Sequence, residues 1–141
     1  MNQYIFAIDP GRVRCGIALM DDLGQTRVKK IINTSELIEQ MKELIYQHPA
    51  KIVLLGKGTY SKSIKNSLKE ILGEIPLELR DEKYSSERAR KRFLLEHPAR
   101  GLEKLIPQGM RLPDQPYDDY AAEILAEEYL KEKKLDQGGN K

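Results

Sequence analysis

The chain has 141 residues, with 24 Lys/Arg against 22 Asp/Glu and a formal net charge of +2. Set against about 150 residues per domain, that length predicts one compact domain able to bury a core without disulfide staples. Charged residues make up 33% and hydrophobic ones 40%, and no apolar run exceeds the five residues Tyr4–Ile8, which excludes a bilayer-spanning helix and predicts a soluble protein.

Tyr4–Asp9 reads as a strand buried on both faces, because its apolar residues run on without alternation. Pro10-Gly11 ends it. Gly16–Met20 is a second apolar run, Asp21-Asp22-Leu23-Gly24 a turn, and Gln25–Ile32 a third, more polar strand. The short turns between them predict an antiparallel meander. Asn33-Thr34-Ser35 supplies capping residues for a helix over Glu36–Gln47, where Leu37, Met41, Leu44 and Ile45 recur at helical spacing. Lys51–Gly56 is a buried strand, Tyr60–Leu72 a helix, Leu77–Glu82 a strand, Ser85–Leu95 a helix and Pro116–Lys133 the last helix. This order, βββ-α-β-α-β-α and then α after a long loop, predicts an α/β fold whose sheet opens antiparallel, turns parallel and carries helices on its faces. The single domain is expected to span residues 1–132, with a flexible polar tail over 133–141.

Charge is unevenly spread. Arg88 to Arg111 holds seven Lys/Arg against Glu96 and Glu103, whereas Asp118 to Asp136 holds seven acids against Lys131, Lys133 and Lys134. No basic segment precedes the first apolar run and Asp9 interrupts it, so no secretory signal is expected. The single Cys15 has no internal disulfide partner and fits a reducing, cytoplasmic setting.

In sheets of this kind ligands gather at the carboxyl ends of the strands, and Asp9 and Glu82 both fall there. Each has a plain alternative, Asp9 as a turn residue before Pro10-Gly11 and Glu82 as a solvated strand end. On the last helix, Ala121, Ala122, Leu125 and Tyr129 all lie within about 60° of Asp118, with Glu123 and Glu127 opposite and Asp119 about 100° round toward solvent. An inward Asp in the first helical turn suits either an N-terminal capping role or a metal ligand presented to the sheet. Converging carboxylates of this kind would bind Mg²⁺ or Mn²⁺, and a pair of such ions can drive phosphodiester cleavage.

Three segments carry a resemblance. Asp9-Pro10-Gly11-Arg12-Val13-Arg14-Cys15-Gly16-Ile17-Ala18 resembles an opening motif in which Asp-x-Gly is followed by Gly-Val-Ala. Asp81-Glu82-Lys83-Tyr84-Ser85-Ser86 resembles an Asp-Glu-Arg-Leu-Thr-Thr block, and Asp118-Asp119-Tyr120-Ala121-Ala122 an Asp-x-x-Ala-Ala helix. In this order and spacing, over residues 4–131, they resemble the YqgF/RuvX family of Holliday junction resolvases and pre-ribosomal RNA nucleases. The resemblance implies a ribonuclease H-like fold, with a mixed five-stranded sheet and helices on both faces. It also implies a metal-dependent nuclease acting on structured nucleic acid, in 5′-end processing of small-subunit ribosomal RNA or in junction resolution. Asp9, Glu82 and Asp118 would be its catalytic, metal-binding acids. Gly56-Lys57-Gly58-Thr59-Tyr60-Ser61 departs from the family's Gly-x-Pro segment, Lys83 replaces an Arg, Ser85 and Ser86 replace Thr, and Ala121 stands where RuvC-type enzymes carry a further acid.

Arg12 and Arg14 beside Asp9, Lys57 and Lys62 around the turn after the fourth strand, and Arg88, Arg90, Lys91 and Arg92 after Glu82 are the candidate phosphate contacts. The plain alternative for the last four is a solvated helix face. The segment from His97 to Gln115 is long for a connection and suits a functional loop. His97 and His48 are read as helix C-terminal caps, and Cys15 as core packing. A two-fold homodimer would suit a branched junction, a monomer RNA trimming. Two rival functions stand beside the nuclease: a non-catalytic nucleic-acid-binding module on the same fold, and an actin-like nucleotide-binding domain, which needs a much longer chain.

Overall fold

The computed structural model describes residues 3–81, 85–97 and 117–139. Strands β1 (Tyr4–Asp9), β2 (Arg14–Met20) and β3 (Thr26–Asn33) form the expected antiparallel meander. A short 3₁₀ turn, Thr34–Glu36, leads into α1 (Leu37–Gln47), followed by β4 (Ala50–Gly56), α2 (Ser61–Leu72), β5 (Leu77–Arg80), α3 (Ser85–Glu96) and α4 (Asp118–Gly139). The sheet order is β3-β2-β1-β4-β5, with β4 parallel to both β1 and β5. The expected tail at 133–141 therefore begins inside a helix, since α4 continues to Gly139.

β1 is apolar throughout because it is central and covered on both sides. Phe6 and Ile8 pack with Ile17, Leu19, Val53 and Leu55 under Leu37, Met41 and Leu44 of α1 and Ile64, Leu68 and Leu72 of α2. Ile5 and Ala7 point the other way, with Ala18, Met20, Ile52 and Leu54, onto Ala122, Leu125, Ala126 and Tyr129 of α4. Alternation along the strand sends Asp9 to this second side. Burying each large aliphatic side chain stabilises the fold by about 1.5–3 kcal/mol, so α4 is held firmly where its Ala residues let it lie close.

Glu123, expected on the wet side of α4, is buried. The reason is a further layer: Ala89, Phe93 and Leu94 of α3 pack on Tyr120, Ala121 and Ile124, covering α4 opposite the sheet.

The β2–β3 turn is pinned by Asp21, whose Oδ1 accepts the backbone N–H of Leu23 and Gln25, each at 2.9 Å. Its Oδ2 takes Arg27 at 3.0 Å, and Gly24 supplies the positive φ of 85°. His48 and His97 end their helices as expected, each Nδ1 meeting the carbonyl four residues back, at 3.3 Å and 2.9 Å.

Candidate active site

Because β1, β4 and β5 run parallel, with Ile8 opposite Leu55 and Gly56 opposite Arg80, their carboxyl ends share one edge. Asp9 stands there at the end of β1, half-buried. In the β1–β2 register Asp9 lies opposite Gly16. Gly16 in turn is the point where α4 touches the sheet. A Cβ on Gly16 would lie 2.6 Å from the backbone N of Asp119 and closer still to the Asp118 carbonyl. The absent side chain lets the first turn of α4 rest on β2, which brings Asp118 beside Asp9 across a gap of more than a hundred residues in sequence. A glycine inside an apolar strand signals such a close backbone approach, and Gly16 carries that signal in the sequence itself.

Asp118 opens α4 with its carboxylate toward the sheet. The carbonyl of Tyr117 caps the turn by accepting the N–H of Tyr120 at 3.0 Å and of Ala121 at 3.3 Å. The Asp118 side chain therefore serves another partner: Arg14 Nε, at the start of β2, donates to its Oδ2 at 2.9 Å. Asp119 is half-buried rather than wet, and burial pushes its carboxyl pKa up while its Oδ1 accepts its neighbour's N–H from Tyr120 at 3.0 Å.

The loop carrying Arg12 is tied down from below. Thr34 donates its N–H to the Val13 carbonyl at 2.8 Å and its hydroxyl to the Gly11 carbonyl at 2.9 Å. Buried Cys15 lies 3.2 Å from the same hydroxyl. Arg12 itself is exposed, as are Lys57, just past β4, and Lys62 in the first turn of α2. The backbone N–H of Lys57 is used by the Arg80 carbonyl at 2.8 Å, so it does not remain available for a phosphate.

The cations of α3 are placed differently. Arg92 bridges Glu123 and Glu127 of α4, each at 2.8 Å, Arg88 pairs with Glu128, and Lys91 reaches Glu87 on its own helix at 4.0 Å. The basic and acidic runs seen in the sequence thus meet each other across the α3–α4 contact. Glu128 lies ten residues, about 15 Å, along α4 from Asp118, so Arg88 is remote from the carboxylate pair. Arg90, half-buried on α3, is partnered too. Around Glu123, Thr26 donates its hydroxyl at 2.6 Å and Lys29 approaches to 3.6 Å. Burial pushes the Glu123 carboxyl up, but the bonds from Thr26 and Arg92 hold it below its ordinary pKa. That carboxylate is engaged in structure, away from Asp9.

Glu82, the third expected acid, and the loop from 98 to 116 lie outside the described residues. Among the described residues, no group of three or more His, Cys, Asp or Glu is gathered, and no helix is long and apolar enough to cross a membrane.

No family model matches the chain. A protein of Bacteroides fragilis, named for pre-16S rRNA nuclease activity, is 31% identical over 93% of this chain and 98% of its own length. One from Bacteroides thetaiotaomicron, of the same name, is equally similar over the same shares. Among solved structures, Thermus thermophilus RuvC bound to a Holliday junction substrate aligns with a TM-score of 0.53 at 12% identity, over 92% of this chain and 95% of that one. Unbound RuvC from the same organism gives 0.50 at 12% identity, over 85% and 90%. At such identities the likeness is one of fold: a mixed five-stranded sheet of the ribonuclease H-like kind.

Proposed function

Because the chain belongs to the YqgF/RuvX family of pre-16S rRNA nucleases, we propose that it hydrolyses phosphodiester bonds in structured nucleic acid, with precursor small-subunit ribosomal RNA as first substrate and a branched DNA junction as second. The observation that carries this reading is the seating of the Asp118 backbone on Gly16, the residue opposite Asp9 in the β1–β2 register, at the carboxyl edge of the sheet. The donor set there is all carboxylate oxygen, which suits Mg²⁺ or Mn²⁺ and not a soft metal. Asp9 and Asp118 would hold the ion, with Glu82 as the third acid. Bound there, it would supply an activated water and charge stabilisation at the leaving oxygen.

The remaining steps belong to the chain. Gly16 and the apolar seat of α4 fix Asp118 against Asp9, since an error near 1 Å in such a site can cost about 100-fold in rate. Arg12, Lys57 and Lys62 line the same edge with exposed positive charge and would hold the strand by its phosphates without reading bases. Buried Cys15 fits a reducing cytoplasm.

Cleavage of labelled single-stranded RNA and of a four-way DNA junction, with Mn²⁺, tests the reading in wild type, Asp9→Asn and Asp118→Asn. Cutting by wild type that both variants lose supports it, and the substrate cut decides between RNA processing and junction resolution. If all three proteins bind nucleic acid equally and none cuts, the chain is a binding module.

A further inference from the structure

We propose that Arg14 is an exchangeable counter-cation for Asp118: it holds the carboxylate until a divalent ion takes it, and the freed guanidinium then holds a substrate phosphate at the same edge. The proposal rests on the nuclease reading, because it presumes that Asp118 takes a metal. Arg14 Nε lies 2.9 Å from Asp118 Oδ2, yet the Arg14 side chain is 51% exposed and that of Asp118 31%. An ion pair this open contributes little to stability, so it can be traded away without loss of the fold. The position of Asp118 does not depend on it, since the helix seat on Gly16, the Tyr117 cap and the apolar residues of α4 fix the backbone independently.

Geometry explains why an arginine suits this exchange. The guanidinium has five N–H donors in a planar fork that fits carboxylate and phosphate alike, and Nε is the donor that meets Asp118 Oδ2, at 2.9 Å. Arg14 also opens β2 opposite Asn33, at the end of the strand beyond the Gly16–Asp9 pair. A swing of the side chain away from Asp118 keeps its charge at the edge where Arg12 and Lys57 stand. Metal and nucleic acid would then bind with positive coupling: the ion releases a phosphate-binding group as well as adding its own charge.

The test uses the full chain and two probes, Mn²⁺ alone by calorimetry and a hydrolysis-resistant phosphorothioate RNA strand by fluorescence anisotropy. Arg14→Gln is expected to bind Mn²⁺ roughly two- to five-fold more tightly than wild type, the reciprocal of the lost competing pair. It should also lose most of the gain in RNA affinity that Mn²⁺ gives wild type. Arg14→Lys, which keeps the charge without the fork, should fall between them and guards against a folding defect in the glutamine variant. If Arg14 were instead a clamp that positions Asp118, Arg14→Gln would bind Mn²⁺ more weakly; that result, or unchanged affinity, overturns the proposal. Asp9→Asn separates the two failures. Wild-type Mn²⁺ binding that Asp9→Asn abolishes keeps the nuclease reading whatever Arg14 does, whereas absence of Mn²⁺ binding in wild type removes both.

Discussion

Gly16→Ala is the most informative single change. The new methyl would stand 2.6 Å from the Asp119 backbone N and overlap the Asp118 carbonyl more closely still, while carbon contacts settle near about 3.5 Å, so the first turn of α4 must retreat by at least roughly 0.9 Å. The intruding atom meets backbone, not a flexible side chain, and Ala122, Leu125 and Ala126 anchor the helix only one to two turns further on. The strain therefore falls on Asp118. Overpacking of this kind costs about 1–3 kcal/mol, which for a domain this size lowers Tm by roughly 3–10 °C. A carboxylate displaced by close to 1 Å should reduce the cleavage rate by about 100-fold. The assay pairs a thermal melt with Mn²⁺-dependent cleavage at a temperature where the variant remains folded. A variant that melts within this window yet cuts at the wild-type rate would refute the claim that the Gly16 contact sets the distance between Asp118 and Asp9.

Glu123→Gln leaves Arg92 and Lys29 without their shared carboxylate and should cost about 1–3 kcal/mol in urea unfolding; adding Arg92→Met should recover part of it, and simple additivity would show that the pair is not coupled. Acid should unfold the protein from about pH 5 to pH 3. The Gln25 and Leu23 amides with Arg27 hold Asp21 low, and Arg80 does the same for Glu132. Glu123 is low despite its burial. A carboxyl lowered by folding adds stability above its unfolded pKa, near about 4, and loses it as pH falls through the folded value. Asp119, pushed up by burial, has the opposite sign and offsets part of the effect. A Tm that stays flat across that pH range would contradict this assignment.

Most of the fold was legible because central strands advertise themselves: Tyr4–Ile8 is apolar without a break, and both faces proved covered. Asp118 was legible through the helical stripe it shares with Ala122 and Leu125. Glu123 was not, because periodicity finds one buried face and cannot report that α3 covers another. For the same reason Arg88 and Arg92 of α3 read as phosphate contacts; their partners Glu123, Glu127 and Glu128 sit in a distant acidic run, and only the packing of the two helices joins them. Gly16 carried a usable sign of its own, a bare position inside a tightly packed strand.

The seat of α4 on the sheet also fixes the order in which the molecule is completed during translation. All five strands leave the ribosome before Asp118 does, so the nascent chain can pair its sheet and cover one side with α1 and α2. Ile5, Ala7, Ala18, Met20, Ile52 and Leu54 meanwhile wait for α4, an apolar surface of the kind that chaperones bind. The event that hides this surface is the same docking that sets Asp118 beside Asp9, so a chain still emerging carries only half of the carboxylate pair.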